Sequence, residues 1–219
     1  MFSRLRSTMQ AVFTPVARTL MRAGVTPDAV TITGTIVATG LALGLLPTGH
    51  LFLGAALIGV FALFDSLDGV LARMSGKSGP WGAFLDSTLD RISDGAVFSG
   101  IALWFLFHTD GATRSWGVAL TLACLVLGGV VPYARARAES VGADAHVGIA
   151  ERTDRLVIAL VPTGFVQLGL PVVVLVVVLG LLALASLVTV WQRIGAVHRQ
   201  LAPRPGEPGP SQEPEAARG

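Results

Sequence analysis

Asp65-Ser66-Leu67-Asp68-Gly69-Val70-Leu71-Ala72-Arg73 is followed, after eight residues, by Gly82-Ala83-Phe84-Leu85-Asp86-Ser87-Thr88-Leu89-Asp90. Asp65 and Asp68 are spaced i, i+3 and Asp86 and Asp90 i, i+4, so on two helices each pair occupies one face. The intervening Met74-Ser75-Gly76-Lys77-Ser78-Gly79-Pro80-Trp81 is rich in Gly, Ser and Pro and suits a reversal between antiparallel helices. At about 1.5 Å per residue, Asp68 and Asp86 then sit roughly 6 to 8 Å inside the hairpin mouth. The four carboxylates should converge.

Four carboxylates in a low-dielectric place need a counter-charge, because like charges and burial each raise a carboxyl pKa. One or two divalent cations supply it. An all-oxygen ligand set favours Mg²⁺, Mn²⁺ or Ca²⁺ over zinc, which prefers His and Cys. The single cysteine, Cys124, lacks a partner for a disulfide or thiolate site and reads as a small apolar helix residue.

The elements that must hold this cluster are apolar. Half of the 219 residues are hydrophobic, 52%, and they are gathered into long runs that mark transmembrane helices rather than a soluble domain. The runs are Asp28 to Leu46, Leu51 to Phe64, Gly82 to Phe107, Trp116 to Val131, Glu151 to about Leu168, and Pro171 to about Trp191. Pro47-Thr48-Gly49-His50, a polar stretch from His108 to Arg114, a loop from Ser140 to Ile149 and Gly169 to Pro171 separate them. The fourth run is expected to end at Pro132. Thr26 is a plausible N-cap, with Pro27 at the first helical position and Asp28 in the first turn. The expected fold is an all-α membrane protein of six transmembrane helices with an N-terminal amphipathic juxtamembrane helix over residues 1–23. The transmembrane domain spans 24–198 and a disordered Pro- and Glu-rich tail spans 199–219. No removable signal peptide and no internal repeat are expected.

Orientation follows from the sixteen Lys and Arg residues. With six spans, only Arg114 falls in a loop on the opposite side and Arg91 lies within the third helix. The positive-inside rule then puts both termini and the aspartate hairpin on the cytoplasmic face of the cell membrane. Acidic metal ligands ringed by arginines on one side suit a substrate that brings phosphates with metal. Membrane lipid is an expected partner and nucleic acid is not. A divalent-cation transporter is the alternative of a different class, but it calls for acids along a route between the two sides. The far halves of these spans are apolar.

The order D-x-x-D-G-x-x-A-R, eight residues, G-x-x-x-D-x-x-x-D resembles the signature of the CDP-alcohol phosphotransferases at every fixed position. Thr26-Pro27-Asp28-Ala29-Val30-Thr31, the six-run layout, Arg135-Ala136-Arg137-Ala138-Glu139 and Glu151-Arg152-Thr153-Asp154-Arg155 are similar to the actinobacterial phosphatidylinositol phosphate synthase branch of that family. The resemblance implies two Mg²⁺ ions, with Mn²⁺ as a substitute, held by Asp65, Asp68, Asp86 and Asp90. It also implies Asp90 as general base and CDP-diacylglycerol as phosphatidyl donor. Nucleotide contacts would come from Asp28, Ala29, Val30, Thr31, Gly69, Arg73, Ser78 and Gly79. Arg135, Arg137 and Arg155 would hold the phosphate of the acceptor, an inositol phosphate, with glycerol 3-phosphate or another alcohol as the alternative. A homodimer is implied as well. The chain departs from the branch at Arg135, where a lysine is usual, at Pro132, where a serine is usual, and at Gly79, where Thr or Ser is common. These departures bear on the acceptor and leave the metal set intact.

Overall fold

The computed structural model describes Pro15, Arg18, Thr19 and residues 22–62, 79–148 and 152–202. Most of the expected amphipathic helix, the tail from residue 203, and Asp65, Asp68, Gly69, Arg73 and Ser78 lie outside the described residues. Six helices account for nearly everything else: α1 Pro27–Leu45, α2 Leu51–Ala62, α3 Pro80–His108, α4 Gly111–Ser140, α5 Arg152–Val166 and α6 Val172–Leu201. There is no strand among the described residues.

The helix starts follow local chemistry. The Thr26 hydroxyl accepts from the Ala29 N–H at 3.2 Å, Pro27 fills the first turn and Asp28 meets the positive end of the α1 dipole. Pro80 opens α3 in the same way, two residues before the expected Gly82. Between α1 and α2 the Gly49 and His50 N–H groups donate to Leu46 and Leu45 carbonyls. Gly49 is at φ +87°, and a Cβ there would also sit 3.3 Å from the His108 ring, so the turn needs glycine.

Two boundaries differ from the sequence expectation. α4 does not stop at Pro132 but runs through it to Ser140. A proline inside a helix removes one i to i−4 bond, and the carbonyl freed by Pro132 belongs to Gly128. α6 continues to Leu201, past the expected domain end at residue 198.

Packing joins α1 to α3, α3 to α4, α4 to α6, and α5 to α6. The core is small and aliphatic where helices touch and aromatic in α3. Ala42 and Leu46 share one core with Val97, Phe98, Ile101 and Phe105 of α3, Cys124 of α4, and Leu175, Leu179 and Leu182 of α6. The Cys124 thiol donates to the Leu179 carbonyl at 3.3 Å, the inert buried role expected of it. Close approach depends on missing side chains: a Cβ on Gly100 would lie 2.5 Å from the Ala42 carbonyl oxygen, and one on Gly117 would meet the Phe105 ring.

The outer surface is apolar as well. Ile36, Phe107, Val126, Val173 and Leu181 are all well exposed, far more contiguous apolar surface than water tolerates. Three helices, α1, α4 and α6, are long and apolar enough to cross a membrane. At about 1.5 Å per residue α4 and α6 are each about 45 Å long, longer than a hydrocarbon core of roughly 30 Å. The chain reads as an integral membrane protein.

The α1–α3 contact generates a prediction. Gly100→Ala should lower the melting temperature of the detergent-solubilised protein, because overpacking against a backbone carbonyl costs about 1–3 kcal/mol. Gly34→Ala, whose Cβ meets nothing within 4 Å, should leave it unchanged or raise it. Equal melting temperatures for the two variants would contradict the packing described.

Candidate active site

Alternation of the six helices places the start of α1, α3 and α5 and the end of α4 and α6 at one end of the bundle, where the polar contacts concentrate. Trp81 Nε1 donates to Asp28 Oδ2 at 3.0 Å, fastening the start of α3 to the start of α1. Asp28 to Thr31 thus form the first turn of α1 beside α3, with Ala29 exposed and Thr31 buried, its hydroxyl on the Pro27 carbonyl. Gly79, exposed and extended, is the N-cap of α3.

Along α3, Asp86, Asp90 and Asp94 lie on one stripe, about 9, 15 and 21 Å from Pro80 by helical rise. Asp86 and Asp90 are partly buried and Asp94 is buried. Opposite them stands the first turn of α5. Arg152 bridges two carboxylates, Nη1 to Asp90 Oδ1 at 2.9 Å and Nε to Asp94 Oδ1 at 3.1 Å. Arg155, only 3% exposed, lies 3.9 Å from Asp94 Oδ2 and donates to the Gly128 carbonyl of α4 at 3.4 Å. Arg91 completes the cluster, 3.6 Å from Asp90 and 3.9 Å from Asp94.

Arg91, Arg152 and Arg193 are the cationic neighbours of Arg155. Arg193 comes from α6 and donates through Nε to the Val147 carbonyl at 3.0 Å and through Nη1 to the Val131 carbonyl. Arg91, Arg152 and Arg155 thus gather on Asp90 and Asp94 with Arg193 beside Arg155, and guanidinium forks of this kind suit a phosphate. Sequence reasoning placed Arg152 in a family-like segment and Arg193 beyond the last span, and gave neither these arginines nor Asp94 a role in the site. The one available signal was the regular four-residue step from Asp86 through Asp90 to Asp94.

Arg135 and Arg137, two residues apart on α4, face directions about 200° apart. Arg135 Nε donates to Glu139 at 3.0 Å and its Nη2 meets His146 Nε2, while Arg137 bonds Ser140 at 3.0 Å. His146 Nδ1 lies 2.6 Å from Asp144 Oδ1. The His146 backbone N–H and then its ring hold the exposed Asp144 carboxyl below the usual range. Gln200 of α6 ties the same loop down through the Asp144 N–H and carbonyl. The structure thus joins Arg155 to the aspartate stripe and ties Arg135 into the loop, with Arg137 on a different face of α4.

Of the four expected metal ligands, Asp86 and Asp90 are described and share a face of α3. No group of three or more His, Cys, Asp or Glu side chains gathers among the described residues. Two carboxylates one turn apart at the mouth of a bundle fit half of a hard divalent-cation site. Beside them, between α2 and α5, an apolar groove of about 270 Å³ is lined by Phe52, Ala55, Gly59, Leu156, Leu160 and Phe165 and ends at Arg152 and Thr153.

Phosphatidylinositol phosphate synthases of Streptomyces avermitilis and Cutibacterium acnes are 44% and 45% identical, covering 90% and 91% of this chain and 82% and 98% of theirs. The crystal structure of the Mycobacterium tuberculosis phosphatidylinositol phosphate synthase with CDP-DAG bound superposes with a TM-score of 0.80 at 45% identity, covering 86% of this chain and 94% of that one. The same M. tuberculosis protein in complex with manganese and citrate gives a TM-score of 0.79 at 46% identity, over 84% and 88% of the two chains. The profile of the CDP-alcohol phosphatidyltransferases matches residues 24–191, which include the aspartate stripe, Arg91, Arg152 and Arg155, and the chain belongs to that family.

Proposed function

We propose that this protein transfers the phosphatidyl group of CDP-diacylglycerol to an inositol phosphate, releasing CMP. The observation that carries the reading is the placement of Asp86 and Asp90 beside a cluster of arginines, with an apolar groove that ends at Arg152. A donor with a diphosphate and two acyl chains needs both environments within one molecule's length. The groove between α2 and α5 is suited to a chain, and Arg152 at its polar end is suited to the phosphate side of the lipid.

The reading assigns Asp65, Asp68, Asp86 and Asp90 to two Mg²⁺ ions, with Mn²⁺ as a substitute. When bound, such ions supply charge neutralisation of the diphosphate. Asp90 takes the proton of the attacking hydroxyl, and Arg152 on its Oδ1 fixes which way that carboxylate faces. A carboxylate in cationic surroundings is a weak base, so orientation and charge complementarity carry most of the rate. Asp28 to Thr31, Gly69, Arg73, Ser78 and Gly79 hold the nucleotide. Arg155 holds the acceptor phosphate together with Arg135, and Arg193 joins them by its place beside Arg155. Arg137, bonded to Ser140, fits anchoring at the membrane surface better.

All six helices cross the cell membrane in this reading, with the aspartate end and both termini cytoplasmic. Helix α3 carries its acids only in its first half, and the far halves of all six are free of acid, which disfavours a cation-transport pathway. The assembly is a homodimer.

The deciding experiment supplies purified protein with CDP-diacylglycerol and Mg²⁺ and varies the phosphorylated alcohol. Inositol phosphate should be consumed with stoichiometric CMP release. A product carrying glycerol and never inositol would replace the acceptor, and no CMP with any alcohol would overturn the reading. Two variants probe the residues. Asp90→Asn should abolish turnover while CDP-diacylglycerol binding partly survives, whereas Asp65→Asn should lose metal and nucleotide together. Arg155→Ala should raise the acceptor KM about tenfold or more with a smaller effect on CDP-diacylglycerol affinity, as expected for loss of a charged phosphate contact. An unchanged acceptor KM would remove Arg155 from the site.

A further inference from the structure

The continuation of α4 through Pro132 leaves a backbone acceptor to be accounted for. Each carbonyl inside an α-helix receives the N–H four residues on, and a proline at that place has none to give. Gly128 is buried, so its carbonyl cannot turn to water for a replacement, and a buried carbonyl without a donor is costly. A donor reaches it from another helix: Arg155 Nη2 of α5 donates to it at 3.4 Å.

The same contact matters to the arginine. Arg155 is buried, and its guanidinium stands among Arg91, Arg152 and Arg193, all of which repel it. Asp94 neutralises it from 3.9 Å, an attraction without the directionality of a hydrogen bond. A carbonyl fixed in a helix backbone gives direction. A planar guanidinium recognises a phosphate through paired N–H groups, so its plane decides whether the fork faces the ligand.

We propose that Pro132 is a positioning residue for Arg155: by withholding its N–H it leaves the Gly128 carbonyl open to that guanidinium, which sets the fork toward the acceptor phosphate. The inference rests on the acceptor role given to Arg155 above. Restoring the N–H closes the α4 ladder at Gly128 and competes with Arg155 for the carbonyl. α4 thereby becomes a better helix while acceptor recognition becomes worse, and a proline of purely structural value would not separate the two.

The test uses Pro132→Ala and Pro132→Leu in the full-length purified protein, alone and in the Arg155→Ala background. Readouts are acceptor KM, kcat, CDP-diacylglycerol affinity and melting temperature. Either substitution should raise the acceptor KM roughly fivefold, the scale of a weakened hydrogen bond to a charged group. The kcat and CDP-diacylglycerol affinity should stay within about twofold, and the melting temperature should hold or rise. In the Arg155→Ala background neither substitution should change the acceptor KM further, because the two residues act as one unit. An unchanged KM in the single variants, or the same multiplicative rise with and without Arg155, would overturn the proposal. A fall in melting temperature with loss of CDP-diacylglycerol binding would also overturn it, by showing general loosening of the bundle. If Arg155→Ala itself leaves the acceptor KM unchanged, the acceptor reading fails. If it raises KM and the Pro132 variants do not, only the present inference fails.

Discussion

The bridge from Arg152 to Asp90 and Asp94 is the interaction on which the polar end of this bundle depends. It links α3 to α5, two helices that share little other surface. Charges taken out of water cost several kcal/mol each, and only mutual pairing with good geometry offsets that. Removing one partner from such a pair typically costs about 3–5 kcal/mol, because the other charge is left buried. A cluster of this kind at membrane depth is therefore retained for what it does rather than for stability.

That constraint explains the rest of the architecture. The arginines enter from α3, α5 and α6, and each is seated on a backbone or carboxylate acceptor that the fold supplies: Asp94, the Gly128 carbonyl, the Val131 and Val147 carbonyls. Small residues elsewhere let the helices close around the cluster, as Gly100 does against Ala42. The outer faces carry exposed Ile, Leu, Val and Phe suited to a hydrocarbon phase, and the apolar groove between α2 and α5 runs up to Arg152. The charged cluster and the apolar groove thus meet at one residue.

Much of this was legible in the sequence. Thr26-Pro27-Asp28 marked the start of α1 through capping chemistry alone, and each of the six apolar runs is a helix. The i, i+4 step of Asp86 and Asp90 gave their shared face. Pro132 was misleading, because a proline ends most soluble helices but is carried inside one when another group satisfies the freed carbonyl. That group, Arg155, is 27 residues away, and no periodicity joins them. Arg193 was equally hidden. A cation just beyond an apolar run is expected as a membrane flank, and only tertiary packing distinguishes a flank from a site residue.

In the proposed site the aspartate stripe of α3 binds metal and Arg152 holds its inner edge. Anomalous diffraction at the manganese edge from the full-length protein crystallised with Mn²⁺ would locate the ions. Peaks are expected within ligand distance of the Asp86 and Asp90 carboxylates, with Arg152 still bridging to Asp94. Manganese bound elsewhere, with Asp86 and Asp90 untouched by it at saturating concentration, would rule the proposed metal site out.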